Sequence, residues 1–200
     1  MLRSAMIHPV QMTEREDINA AVRALRGGGV IVYPTDTVWG IGCDATDSAA
    51  IARIFAMKRR ADSKAMISLV SDLAMLERWV DDIPDVAYEL MEAADRPVTI
   101  VYDHPRGLAP ELLAADGSAA IRVTSDPFCR EIIRGLRKPL VSTSANISGT
   151  PAPAGFDGIE PSITSAADYV CASMRSPLSP RHPSMVIKLG SGGLIKILRK

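Results

Sequence analysis

Apolar side chains recur at helical spacing in some stretches of this chain and run unbroken or alternate in others. The switch between the two patterns divides the sequence into elements. Thr13 and Glu16 form a capping-box pair, and Ile18, Ala21, Val22 and Leu25 follow at helical spacing. That first helix stops at Gly27, Gly28 and Gly29. These glycines precede a strand and no GxxxxGK[ST] follows, so they read as a helix stop and connector, not as a phosphate loop. Residues 30–33 are a β-branched strand closed by Pro34. Ala49, Ile51, Ile54 and Phe55 mark a second helix that delivers Lys58 near its C-terminus. The pattern then predicts a strand at 66–70, a helix at 85–94, strands at 98–102 and 119–123, and a short helix at 108–113 between those strands. Asp126 and Pro127 cap and open a helix through Phe128, Ile132, Ile133 and Leu136. A strand starting at Pro139 runs into a polar segment at Ser142. Residues 149–165 and 173–184, rich in Pro, Ser and Gly, read as loops or flaps. Residues 185–189 and 194–198 alternate at period two around Gly190, Ser191, Gly192 and Gly193, which predicts a hairpin. With no repeat and no linker, the order predicts a single α/β (α+β) domain over residues 1–200, a mixed sheet flanked by helices.

Composition narrows the possible partners. Twenty-three Lys and Arg balance 23 Asp and Glu, so the formal net charge is zero and no global attraction to nucleic acid or an anionic membrane is expected. Binding of a nucleotide or RNA must come from a local patch. Cations bunch at residues 58–64, at Arg130, Arg134, Arg137 and Lys138, and at Lys196, Arg199 and Lys200. Cys43, Cys129 and Cys171 are odd in number, widely spaced and without a CxxC, which predicts reduced, partly buried thiols and a cytosolic compartment. No apolar run suits a signal peptide or a membrane span, so the expectation is a soluble, cytoplasmic protein.

Candidate chemistry gathers at three places. Thr35, Asp36 and Thr37 lie just past the carboxyl end of the first strand, where open α/β sheets tend to hold ligands. Lys58, Arg59, Arg60 and Lys64 follow about one helix later; they suit an anion such as phosphate, or they complement a helix end in solvent. Ser142, Thr143, Ser144 and Asn146 follow an apolar strand and offer donors for phosphate oxygens or ligands for Mg²⁺, or simply form a turn. Arg122, between Ile121 and Val123, either points to solvent or pairs with an anion. His8, His104 and His182 sit in proline-adjacent, loop-like settings and read as surface residues. No GxSxG elbow, HExxH motif or dinucleotide fingerprint is present. Catalysis would therefore rest on positioning and charge stabilisation, not on a covalent intermediate.

These residues carry a resemblance. Tyr33-Pro34-Thr35-Asp36-Thr37-Val38-Trp39-Gly40-Ile41-Gly42 is similar to the YPT[ED]TVYGLG signature of the YrdC-like domain family. Lys58-Arg59-Arg60-Ala61-Asp62-Ser63-Lys64 resembles its KxRxxx[KN] segment, and Ser144-Ala145-Asn146-Ile147-Ser148-Gly149 its SANxSG loop. Pro183-Ser184-Met185-Val186-Ile187 resembles its PSTVID strand and Leu198-Arg199 its closing LR, all in family order from about residue 14 to 200. The resemblance implies a twisted α/β domain with a deep, positively lined cleft. It also implies L-threonylcarbamoyladenylate synthesis, in which L-threonine, bicarbonate and ATP, with Mg²⁺, give threonylcarbamoyl-AMP and pyrophosphate. That product supplies N6-threonylcarbamoyladenosine at position 37 of tRNA. By resemblance, Lys58 and Arg60 neutralise phosphate and are the catalytic pair. Thr35, Arg122, Ser142 and Ser184 hold L-threonine, with Arg122 on its carboxylate. Lys58, Arg60, Lys64, Ser144, Asn146 and Arg199 hold the nucleotide, and Mg²⁺ rides mainly on the ATP phosphates. Possible macromolecular partners are tRNA and the proteins of threonylcarbamoyl transfer; no membrane is implied.

Some positions depart from the family pattern. Ala65 and Met66 stand where proline and leucine are usual, a histidine common near Leu69 and Ser71 is missing, and Met185 replaces the threonine of PST. The PGPxT stretch is reduced to Arg96-Pro97-Val98-Thr99. The Lys58-Arg59-Arg60 and Ser142-Thr143-Ser144 forms are similar to a paralogous branch of the family. An RNA-binding or tRNA-modification accessory with little turnover, and adenylate chemistry on a different amine, are the alternatives.

Overall fold

The computed structural model describes residues 12–59, 66–173, 183–189 and 195–199. In chain order the elements are α1 (Glu14–Arg26), β1 (Ile31–Tyr33), β2 (Gly40–Gly42), α2 (Ser48–Met57), β3 (Ile67–Val70), α3 (Leu73–Trp79), α4 (Asp85–Ala93) and β4 (Val98–Tyr102). They continue with β5 (Ala119–Val123), α5 (Pro127–Leu136), β6 (Leu140–Ser144), α6 (Pro161–Ala166), β7 (Tyr169–Val170), β8 (Met185–Leu189) and β9 (Ile195–Arg199). The strands form one mixed sheet in the order β7-β1-β2-β6-β3-β5-β4-β8-β9. Pairs β1/β7, β3/β5 and β4/β8 are parallel, and the other neighbours are antiparallel. This is the α/β architecture with a mixed sheet and flanking helices that the sequence predicts.

The sheet separates two apolar cores. Ile31 and Tyr33 join α1, α3 and α5 through Leu25, Met75, Phe128 and Ile132. The alternate positions, Val30 and Val32, face the other way and join α2 through Ile51 and Ile54, with Leu112 and Ile163 behind. Side chains alternate across a strand, so one short β-branched run feeds both cores. Each such fully buried aliphatic side chain contributes about 1.5–3 kcal/mol.

Local signals set the ends of the helices. Thr13 Oγ1 accepts from the Glu16 N–H while the Glu16 carboxylate accepts from the Thr13 N–H, closing the capping box on α1. Asp126 accepts from Cys129 N–H at 2.8 Å and caps α5, with Pro127 at the first helical position. Four elements were not visible in the pattern. Strand β2 is Gly-Ile-Gly, α3 is seven residues capped by Asp72, β7 has two residues, and α6 overlaps the end of the stretch expected to be a loop. The helix expected at 108–113 is a 3-10 turn over Pro110–Leu112. The predicted hairpin pairs as β8 and β9, antiparallel with Ile187 opposite Ile197; its glycine turn lies outside the described residues. Cys43, Cys129 and Cys171 are all buried. Among the described residues no helix is long and apolar enough to cross a membrane.

Asp17 ties α1 to the far edge of the sheet. Its buried carboxylate accepts from Tyr169 Oη at 2.6 Å, Ala172 N–H at 3.1 Å and Ser173 N–H at 2.7 Å. Burial pushes this carboxyl up, but the bonds from Ser173, Tyr169 and Ala172 outweigh it and leave it below the ordinary value. A lowered pKa means the clamp contributes its stability above the unfolded value of about 3.9 and loses it as pH falls through the folded value. Asp17→Asn is therefore expected to cost about 1–3 kcal/mol at neutral pH. It should also flatten the acid limb of stability below about pH 4. Urea midpoints for the two proteins between neutral and acid pH check this; parallel curves would exclude the clamp.

Candidate active site

A cavity of about 350 Å³ opens where the loop after β1 meets β3, β5, β6 and the C-terminal strands, and Arg122, Ser142, Ser144, Ser184 and Arg199 are in its wall. The first wall comes from the turn behind Pro34. Thr35 Oγ1 donates to the Val38 carbonyl at 2.6 Å and accepts from the N–H groups of Thr37 at 3.0 Å and Val38 at 3.2 Å. Its hydroxyl is thus engaged in closing the turn, and it is Thr37, two residues on, that lines the cavity. The same turn carries Asp36 to Arg122, whose Nη2 lies 3.1 Å from Asp36 Oδ1.

That ion pair answers the question the sequence left open, because Arg122 points inward and is only 3% exposed. Its Nε is buried and has no hydrogen-bond partner among the described residues. Leaving such a donor unmet costs about 1–3 kcal/mol, which makes it a standing invitation to an acceptor. Arg199 reaches in from β9, donating from Nε to the Ser184 carbonyl at 3.0 Å and from Nη2 to Ser184 Oγ at 3.1 Å. Ser184 is itself buried and shares a 2.8 Å hydrogen bond with Thr99 Oγ1. Burial first, and the charge of Arg122 second, lower the pKa of the Arg199 guanidinium. Two cations are therefore close enough to repel across one cavity, and among the described lining residues no carboxylate stands between them.

The remaining wall is β6. Pairing of Gly40 with Ser144 and of Ile67 with Ser142 fixes where these hydroxyls stand. Met66 and Ile67 supply an apolar side, and Ala152 and Pro183 complete the rim. Lys58 and Asn146 are not in the lining. Lys58 Nζ donates to the carbonyls of Ser144 and of Asn146, the latter at 2.8 Å. Asn146 Nδ2 donates to the carbonyls of Ile147 at 3.0 Å and Thr150 at 2.6 Å, while its Oδ1 is buried with no partner among the described residues. Arg60 and Lys64 lie outside the described residues. No specific role was expected of Asp36 or Thr37, and none at all of Ile67 or Thr99. The partner of Asp36 sits on a distant strand, and no local pattern marks it.

The described residues contain no cluster of three or more His, Cys, Asp or Glu side chains suited to a metal. Hydroxyls, an amide and guanidiniums fit a divalent ion that arrives on a phosphate ligand better than a resident one, since Mg²⁺ commonly binds through substrate phosphates.

Comparison with known proteins gives the site its context. Residues 23–200 match the model of the Sua5/YciO/YrdC family, described as "Telomere recombination". A threonylcarbamoyl-AMP synthase of Stenotrophomonas maltophilia is 36% identical over 157 residues, 76% of this chain and 84% of that protein. One from Pseudomonas aeruginosa is 33% identical over 177 residues, 88% and 94% of the two chains. Among solved structures, E. coli YciO superposes with a TM-score of 0.80 at 27% identity, covering 97% of this chain and 93% of that one. P. abyssi Sua5, complexed with L-threonine, gives 0.79 at 24% identity over 94% of this chain and 55% of its own, a likeness of fold. The family match spans most of the sequence and relatives more than 30% identical cover over two thirds of it, so the chain belongs to the Sua5/YciO/YrdC family.

Proposed function

We propose that this chain is a threonylcarbamoyl-AMP synthase, which joins L-threonine, bicarbonate and ATP and releases pyrophosphate. The observation that carries the reading is the pair Arg122 and Arg199 facing one cavity with Ser142, Ser144 and Ser184, in a chain whose relatives bear that name. Two repelling guanidiniums are stabilised by an anionic ligand, and this reaction brings two kinds, a carboxylate and phosphates.

Threonine's amine and bicarbonate give a carbamate with loss of water. A carbamate oxygen then attacks the α-phosphorus of ATP, and the bond to the β-phosphate oxygen breaks as pyrophosphate leaves. Arg122, held by Asp36, takes the threonine carboxylate in a two-point hydrogen bond, with Ser142 and Ser184 beside it and Thr35 shaping the turn. Arg199, Ser144 and Asn146 serve the nucleotide, joined by Arg60 and Lys64 from the neighbouring basic segment. The chemistry asks for charge neutralised on phosphate oxygens and for reactants held in line. Mg²⁺ entering with ATP supplies part of that neutralisation. Transfer of the threonylcarbamoyl group to tRNA belongs to partner proteins, and the cytoplasm, where ATP and tRNA meet, is the proposed compartment.

The test is pyrophosphate release from ATP with Mg²⁺ and bicarbonate, with L-threonine, L-serine, glycine or no amine. Release is expected to depend on L-threonine. Release driven best by another amine would reassign the substrate, and tRNA binding without any release would replace the synthase reading with the accessory one.

A further inference from the structure

Lys58 has a placement that a phosphate clamp does not need. The side chain is 3% exposed, although it sits at the end of α2 beside exposed Arg59. Its ammonium donates to the carbonyl oxygens of Ser144 and Asn146, one on each side of Ala145. Its own carbonyl accepts from the Ser148 N–H at 2.9 Å. One residue thus makes three hydrogen bonds to the segment from Ser144 to Ser148. On the opposite side, Ala145 N–H donates to the Trp39 carbonyl at 2.8 Å. The segment is pinned between the end of α2 and the chain entering β2, and its N-terminal residue, Ser144, lines the cavity while Lys58 does not.

We propose that Lys58 is a positioning residue, which acts on the nucleotide through the Ser144–Ser148 loop and not by contact with phosphate. A buried ammonium must keep its donors met, because an unmet charge in the interior is far more costly than an unmet neutral group. Turning Nζ toward a phosphate would strip the charge-assisted bonds from two partly buried carbonyls at once. Keeping them draws both carbonyls toward the α2 end and fixes the register in which the Ser144 hydroxyl is presented to the cavity. The inference rests on the synthase reading for its kinetic arm only.

The test uses Lys58→Met, Lys58→Gln, Ser144→Ala and the Lys58→Met/Ser144→Ala double variant. In ligand-free protein, amide hydrogen exchange at Ala145 and Ser148 should accelerate about tenfold or more in Lys58→Met, with amides of β5 and α5 unchanged. Lys58→Gln keeps two donors without the charge, and should hold exchange and threonine-dependent pyrophosphate release closer to wild type than Met does. The losses from Lys58→Met and Ser144→Ala should not multiply in the double variant, because the first acts through the second. Unchanged loop exchange in Lys58→Met together with lost release would overturn the proposal. So would equal losses for Gln and Met, or losses that multiply. If wild type shows no threonine-dependent release, the synthase reading fails while the exchange measurement still decides the role of Lys58.

Discussion

Arg122→Met is expected to lower kcat/KM for L-threonine by about 10²–10³-fold, and most of the loss should appear as a raised KM. Arg122 is the more enclosed of the two cations among the described lining residues, and it brings a planar fork that matches a carboxylate at two points. Methionine fills a similar volume but removes both the fork and the partner of Asp36. The variant therefore leaves a carboxylate behind with its ion pair broken, and breaking one side of a buried pair costs about 3–5 kcal/mol. A loss of activity from unfolding must be separated from a loss of binding, and the Arg122→Met/Asp36→Asn double variant does so. It should regain most of the stability, since the carboxylate that lost Arg122 is neutralised as well, and regain none of the affinity. Arg122→Lys should behave like the single variant for binding, because an ammonium is a point charge without the fork. Steady-state kinetics against threonine, with melting curves on the same samples, provide the check. A threonine KM within a few-fold of wild type in folded Arg122→Met would remove Arg122 from the carboxylate site.

How much of this was legible in the sequence depends on whether the signal was local. The capping box at Thr13 and Glu16 and the Asp126–Pro127 start of α5 are local, and both helices begin where those residues say. The run from Val30 to Tyr33 is likewise a strand by its own composition. Strand β2 is different, because Gly-Ile-Gly has no strand pattern of its own and pairs only because β1 and β6 offer two edges to it. Within the site, a strand arginine, a hydroxyl-rich strand end and the ordered motifs brought Arg122, Ser142, Ser144, Ser184 and Arg199 to attention, and the fold gathers these five in one lining. The motifs could not say that Thr35 spends its hydroxyl on a turn, that Asp36 holds Arg122, or that Lys58 turns inward to carbonyls. Those are contacts between distant segments, set by how strands and loops pack and not by the spelling of any one of them.

Gly42 shows how tightly that packing constrains the site, and its substitution should have a large effect on folding with no charge involved. A Cβ at Gly42 would collide with the carbonyl oxygen of Val141 and stand 2.8 Å from Tyr33 Cε1. Neither neighbour can yield cheaply. The carbonyl belongs to β6 and accepts a 3.2 Å hydrogen bond from Tyr33 Oη, and the Tyr33 ring is fully buried. Burial, followed by the nearby Cys129 thiol, raises the Tyr33 pKa well above its ordinary value, so the ring stays neutral and remains a donor. Gly42→Ala must then push β2 away from β6 or tilt the ring into the core, at a cost of about 3 kcal/mol. For a chain of this length that is a fall in melting temperature of roughly 6–12 °C. Gly155→Ala, where a Cβ meets nothing within 4 Å, is the matched control and should shift stability by about 0.5 kcal/mol at most. The consequence extends to chemistry, because β2 also pairs Gly40 with Ser144 and so holds one wall of the cavity. Gly42→Ala is therefore expected to weaken nucleotide binding at temperatures well below its melting point. If it melts with the Gly155→Ala control and binds ATP like wild type, the close contact of β2 with β6 is not what sets the wall.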